Sequence, residues 1–400
     1  MFFYIDISSV SKGHIDYPGS QIKFKGSPSR ARKNLKLNDV LMSTVRPNLK
    51  SFAKFNRGSN FNFVASTGFA ILRAKQETDI DFIYQCLFSE KIERQLQTLV
   101  VGSNYPAINS SDVRKLLFNV PNFQTQRKIA QILSKTDAVI EKTQAAIAKY
   151  KAIKQGMLHD LFTLGIDPAT NKLRPSYKEA PALYKQSKLG CIPKEWDIEI
   201  FGDKIELVHG HQFRNYDFTE FGIPVVKIGQ VKSENLDLSS CSFIAFNRVE
   251  EFKNEIIGNG DVLMALTGAT LGKACLVKNL NGIVLQNYRV GRFEPKIDKN
   301  DIDKTFLYYL MIAGELLNQI YNKVNSVEQA NIGKTALAQA TFKKPNYKEQ
   351  TIIAERLKSI DNKLQTEQSY LHKMQQIKAG LMADLLTGKK KVTVDEYPTT

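Results

Sequence analysis

The sequence predicts a mixed α/β (α+β) protein. Two similar globular domains are separated by two long antiparallel coiled-coil helices, and the halves are related by a pseudo-two-fold internal repeat. Three observations carry this prediction. "NDVLMSTVRP" begins at Asn38 and "GDVLMALTGA" at Gly260, so Asp-Val-Leu-Met recurs 222 residues later and each time runs into a polar, loop-like segment. From 121–163 against 345–387 the chain repeats without a gap at an offset of 224, with 15 of 43 residues identical. In both of those stretches the apolar positions alternate in steps of four and three.

Taken in order, "FFYIDISSV" (Phe2–Val10) matches "PVVKIGQV" (Pro224–Val231), and both alternate as half-buried strands do. The first globular domain is expected over 1–120 and the first long helix over 121–163. Its seam is Ile129, Leu133, Thr136, Ile140, Thr143, Ile147, Tyr150, Lys154, Met157 and Leu161. A proline- and polar-rich linker fills 164–187, and the second domain 188–344. The second helix covers 345–389, with seam Ile353, Leu357, Ile360, Leu364, Glu367, Leu371, Met374, Lys378, Leu381 and Leu385; a flexible tail over 390–400 ends the chain. Each helix starts just after a proline, Pro121 or Pro345, as a helix should. A 4-3 seam held over about forty residues belongs to a coiled coil, and the economical partner for each seam is the other helix. The alternative is that each helix docks on its own globular domain.

Composition is that of an ordinary globular chain, with 42% hydrophobic and 24% charged residues among 400. No run of 18 apolar residues exists, and the start lacks the basic region and cleavage site of a signal peptide, so a cytoplasmic protein is expected. Cys86, Cys191, Cys241 and Cys275 are scattered without a CxxC pair, which reads as reduced thiols. His209 and His211 lack nearby companion ligands, so a polar loop is expected there and no metal.

The net charge of +16 favours a polyanionic partner. It is unevenly spread. Residues 1–120 carry 17 basic and 9 acidic groups (+8), 121–187 carry 11 and 5 (+6), 188–340 carry 17 and 19 (−2), and 341–400 carry 11 and 7 (+4). Phosphate binding by the acidic segment therefore needs a local basic patch or a partner's help.

Catalytic motifs are weak. "GATLGKA" (Gly268–Ala274) has three residues between its glycines where a phosphate-binding loop has four, and Ala274 stands where Ser or Thr would ligate magnesium. No Asn/Asp-Pro-Pro-aromatic sequence, adenosylmethionine loop or nuclease-type carboxylate cluster is present.

At the linker, "LGIDPATNKLRPSYKEAPALYKQSKLGCIPKEW" (Leu164–Trp196), the chain closely resembles the specificity subunit of type I restriction–modification systems. "GSNYPAIN", "LTGATLGKA" and the paired helix starts "QRKIAQIL" and "QTIIAERL" support the likeness, which covers nearly all of 1–389. The resemblance implies a non-catalytic DNA-binding chain with two target recognition domains, each reading half of a split double-stranded DNA sequence. It also implies docking of two adenine-N6 methyltransferase subunits and of restriction/translocase subunits. No cofactor is then expected in this chain; S-adenosylmethionine, ATP and Mg would act in the partners. The second domain opens with about thirty residues, "LGCIPKEWDIEIFGDKIELVHGHQFRNYDFTEF", that have no counterpart in the first. The first domain accordingly looks shortened at its N-terminus.

Base edges are read by Arg, Lys, Asn and Gln carried on loops or helices. Candidates in the first domain are Arg46, Asn48, Lys50, Lys54 and Arg57, with Ser103, Asn104 and Tyr105 in "VGSNYP". In the second they are His211, Gln212 and Arg214, then Thr267 and Lys273, then Gln286, Asn287 and Arg289. Two other readings compete: a two-headed structural adaptor that binds proteins, and a nucleic-acid-modifying enzyme with an unrecognised site.

Overall fold

The computed structural model describes residues 1–58, 61–102, 106–233, 235–296, 301–323 and 334–393. The chain divides into two compact units, Met1–Ala146 with Glu367–Thr400, and Ile147–Thr366. Among the described residues no helix is long and apolar enough to cross a membrane.

The repeated Asp-Val-Leu-Met occupies the same place in both units. In the first, Val40–Ser43 is the central strand of a three-stranded antiparallel sheet between Phe52–Lys54 and Phe69–Leu72, and all four of its residues are buried. In the second, Val262–Ala265 is equally buried between Ala274–Leu276 and Val290–Pro295. Registers coincide at the offset of 222: Met42 faces Phe52 and Met264 faces Ala274. A run buried on both faces reads as continuous hydrophobicity, which is why these strands show no alternation. The predicted N-terminal strand is Phe3–Ile5, parallel to Phe63–Ser66; its counterpart Ile223–Val226 is parallel to Leu285–Gln286.

The thirty residues without a first-domain counterpart build elements that, among the described residues, occur only in the second unit. Ile205–His209 adds a fourth strand beside Val290–Pro295, and Asp197–Ile200 pairs with Thr341–Lys344. In the first unit the residues aligned with that last strand, 117–120, form no strand, and Leu117 and Val120 are exposed.

The long helices run Phe123–Thr163 and Tyr347–Leu385, 41 and 39 residues. Each begins on an asparagine cap: Asn122 Oδ1 accepts from the Thr125 amide and Asn346 Oδ1 from the Glu349 amide, both at 2.9 Å. Every predicted seam position is buried or half-buried, while the residues between them are largely exposed. In the first unit Ile129 and Leu133 pack with Leu386, Leu381 and Leu385; in the second Leu161 joins the core that holds Ile353 and Leu357. An early position of one helix thus meets a late position of the other, so the paired segments run antiparallel within each unit.

Polar residues in the seam are satisfied in two ways. Thr136 and Thr143 donate back to Ile132 O (3.0 Å) and Val139 O (2.9 Å) of their own helix. The lysines cross between helices. Lys154 pairs with Asp361 at 2.6 Å in the second unit, and Lys378 with Asp137 in the first. Lys154 and Lys378 are equivalent at the offset of 224, as are Asp137 and Asp361, so one ion pair is built twice with its partners exchanged.

A glutamine lock ties each helix to its globular domain. Gln126 Oε1 accepts from the Asp79 amide (2.9 Å), and its Nε2 donates to Glu77 O (3.1 Å) and Pro121 O (2.9 Å). Gln350 does the same with the Asp303 amide (3.0 Å), Asp301 O (3.0 Å) and Pro345 O (2.9 Å). Asp79 and Asp303 in turn cap short helices by accepting from Phe82 N and Phe306 N.

The proline-rich linker is firmly anchored. Glu349, fully buried, accepts from the Ile166 amide (2.7 Å), Arg174 Nη1 (2.6 Å) and Nη2 (3.1 Å), and Trp196 Nε1 (3.0 Å). Thr125 holds the equivalent position in the first helix.

Candidate nucleic-acid interface

In the second unit three sequence-predicted motifs converge. The His211 amide donates to Gln286 O (3.1 Å) and the Tyr288 amide to His211 O (2.9 Å), hooking the loop after Ile205–His209 onto the turn at 286–289. Gly210 allows this approach, because a Cβ there would lie 2.1 Å from Gln286 O. The Leu266 amide donates to Arg289 O (3.0 Å), which brings in the loop carrying Thr267 and Lys273. His211, Gln212, Arg214, Lys273 and Arg289 are exposed around this junction, with Thr267 half-buried among them.

Neighbouring groups position these side chains. The His211 ring packs 4.9 Å from both Phe213 and Phe252, and Arg289 Nε donates to Tyr288 Oη (2.7 Å). Asp217 accepts from the Arg214 amide (2.7 Å) and Arg248 Nη1 (2.9 Å), and these bonds hold its carboxyl below the usual range. His209 Nδ1 lies 3.2 Å from Tyr288 O. Among the described residues no group of three His, Cys, Asp or Glu could hold a metal ion.

Two candidates are corrected. Gln286 is fully buried, and its Nε2 donates to Val208 O (2.9 Å) and Val290 O (2.7 Å), so it braces the frame and has no donor left for a base edge. Asn287 is 6% exposed and accepts from the Arg289 amide at 3.2 Å, shaping the turn that presents Arg289. Residue type suggested readout; burial assigns both a supporting role.

The first unit repeats the loop. Ser43 N donates to Ser51 O (3.2 Å) and Leu49 N to Arg46 O (2.9 Å); 222 residues on, Ala265 N donates to Lys273 O (2.9 Å) and Leu271 N to Gly268 O (3.0 Å). Arg46 (φ 48°) and Lys50 (φ 52°) stand at the left-handed positions that Gly268 (φ 75°) and Gly272 (φ 77°) take in the second unit. Side chains in that conformation cost roughly 1–2 kcal/mol per residue, a cost that glycine avoids in the second unit. Arg46 and Asn48 are exposed. Arg57, also exposed, stacks its guanidinium 4.6 Å from the Tyr17 ring centroid. Lys50 is bound to Glu93 at 2.8 Å and Lys54 to Asp81 at 2.6 Å, which leaves Lys54, on a strand, a structural ion pair. Ser103, Asn104 and Tyr105 lie outside the described residues. Pro106, the next residue along the chain, accepts from the Arg46 amide at 2.7 Å.

A family model described as "Type I restriction modification DNA specificity domain" matches residues 9–150 and again 193–376. The chain belongs to that family. Each match contains one copy of the loop just described. Among curated proteins, the type I restriction enzyme MjaVIII specificity subunit of Methanocaldococcus jannaschii is 26% identical over 326 residues, 80% of this chain and 73% of its own length. The HindI specificity subunit of Haemophilus influenzae is 25% identical over 179 residues, 43% of this chain and 39% of its own. Among solved structures, the type I restriction–modification S subunit from M. genitalium aligns with TM-score 0.58 at 15% identity, covering 98% of this chain and 89% of that one. A chain from work on complex assembly and conformational transition of the type I R-M system aligns with TM-score 0.52 at 19% identity, covering 96% and 91%. These structural likenesses concern the fold.

Residue-type reasoning also left aside exposed aromatics of the second unit. Tyr216 is 85% exposed, Phe221 74% and Phe246 66%. Their only sequence signal is an aromatic next to a polar turn, which core packing produces just as often.

Proposed function

We propose that the chain is the non-catalytic DNA-reading subunit of a type I restriction–modification complex, and that its two globular domains read the two parts of a split double-stranded target. The observation that carries this reading is the loop built twice at an offset of 222, each copy presenting exposed polar side chains from neighbouring segments. The internal duplication supports docking of two copies of one adenine-N6 methyltransferase subunit, with restriction/translocase subunits joining them. S-adenosylmethionine, ATP and magnesium would then serve those partners.

Within this reading Arg46, Asn48 and Arg57 contact DNA in the first domain, and His211, Gln212, Arg214, Lys273 and Arg289 in the second; the Thr267 hydroxyl is buried and does not reach a base edge. Ser103, Asn104 and Tyr105 remain candidates on sequence grounds. A base-reading side chain should contribute about 1–3 kcal/mol of discrimination. Mapping N6-methyladenine across the genome, with and without this gene, tests the proposal. A two-part motif that loses methylation on deletion supports it; an unchanged map overturns it.

A further inference from the structure

Each unit gathers lysines beside the crossed ion pair of the long helices. In the first, Lys12 lies on the turn between Val10–Ser11 and His14–Ile15, with Nζ 5.7 Å from the Phe88 ring centroid. Lys378 Nζ lies 5.9 Å from the same ring, and Lys50 is close enough to interact electrostatically with Lys12. Lys378 is neutralised by Asp137 and Lys50 by Glu93, while Lys12 has no ion pair among the described residues. In the second unit Lys154 sits against Asp361, its Nζ 5.8 Å from the Tyr309 centroid. Lys278, half-buried just after the strand Ala274–Leu276, lies within electrostatic range of Asp361, Lys358 and Lys154. Neither Lys278 nor Lys358 has an ion pair among the described residues. Three cations thus surround one carboxylate there, and three surround two in the first unit.

Such crowding is unfavourable without an anion. Partial loss of hydration holds the ammonium groups of Lys12 and Lys278 below the usual lysine range. At Lys12 neighbouring lysines come next and outweigh Asp137 and Glu93, while at Lys278 the opposing pull of Asp361 comes before the push of Lys358 and Lys154. Residues 188–340 carry a net −2, and the second cluster adds Lys154 and Lys358 from the long helices to Lys278 of that segment.

We propose that the two clusters are DNA backbone sites, in which Lys12 in one unit and Lys278 with Lys358 in the other contact phosphodiester groups. The proposal deepens the DNA-reading function and rests on it. Phosphate is favoured over a protein carboxylate because a duplex presents a charge about every 1.7 Å, enough to meet several ammoniums beside each copy of the repeated ion pair. These contacts would set affinity and register without reading sequence.

The test measures binding of the full-length chain, alone and with its methyltransferase partner, to a random-sequence duplex across a salt series. For the double variant K12Q/K278Q, the slope of log affinity against log salt should become shallower by about 2, close to 0.9 for each phosphate that the variant no longer neutralises. Discrimination between target and random duplex should be unchanged. Arginine at both positions should restore the slope. K358E, on an exposed helix surface where packing is not at stake, should also weaken binding to every sequence. A double variant that keeps the wild-type slope overturns the proposal. So does one that binds DNA normally but no longer holds its partner subunit, since the clusters would then bind protein carboxylates. Failure of the wild-type chain to bind any duplex, alone or with its partner, overturns the DNA-reading function as well.

Discussion

Glu349 shows how far one side chain's role depends on its surroundings. In the first turn of a helix a glutamate is usually an exposed residue favoured by the helix dipole. Here it is fully buried and joins Arg174, Trp196 and the Ile166 amide around one carboxylate. Removing one partner of a buried pair leaves an uncompensated charge, so Glu349→Ala should destabilise the protein by about 3–5 kcal/mol. Trp196 is the single tryptophan, and its emission should shift to the red as the variant opens in denaturant. An unchanged midpoint and spectrum would count against the hub. Cysteine chemistry offers a second check at this scale. Burial pushes the Cys86 and Cys275 thiols up to about 12, so both stay protonated at pH 8 and present almost no thiolate. Alkylation of the native protein at that pH should mark Cys191, which is half-buried, well before Cys86 or Cys275; equal labelling by mass spectrometry would contradict the packing. Gln286 and Asn287 teach the same lesson in reverse. Both have the chemistry to read a base, and both are used to hold the loop that carries Arg289.

The long helices were the most legible elements, because a 4-3 spacing is a local property and needs no knowledge of the partner. The seam holds through every predicted position, including its threonines and lysines. What spacing could not reveal is how the polar members are satisfied. Thr143 bonds its own backbone, so Thr143→Val, which removes donor and bond together, should change stability by only about 0.5–1.5 kcal/mol. Leu133, fully buried, should cost about 2–5 kcal/mol as Leu133→Ala. Lys154 and Asp361 are partners, so Lys154→Met and Asp361→Leu should each destabilise more than their combination does. A double-mutant cycle by thermal or chemical unfolding measures the coupling; additive effects would mean that the pair is structurally idle. The loops of the candidate interface were legible as motifs and illegible as a surface. "HGHQFRNYDF", "LTGATLGKA" and "LQNYR" are distant along the chain, and only backbone bonds such as His211 N to Gln286 O place them together.

At the scale of the whole molecule, duplication organises both structure and proposed function. A helix of 41 residues is about 60 Å long. If the paired helices set the separation of two reading domains, lengthening them must lengthen the gap in the target. Inserting seven residues at matching levels of both helices adds about 10 Å. The methylated motif should then keep its two parts and widen its spacer by about three base pairs at 3.4 Å each. A methylome with the original spacer would show that the helices do not act as the ruler.

By itself the sequence determined the repeat, the two helices with their seam, the fold class and the family likeness, since all of these rest on periodicity and order along the chain. The tertiary structure alone decided which polar residues are free to meet a ligand. It buried Gln286 and Glu349, engaged Lys54 in an ion pair, and left Lys12 and Lys278 near other lysines without an ion pair among the described residues. The physical reason is that burial and charge pairing depend on neighbours supplied from other parts of the chain, and no local pattern records them.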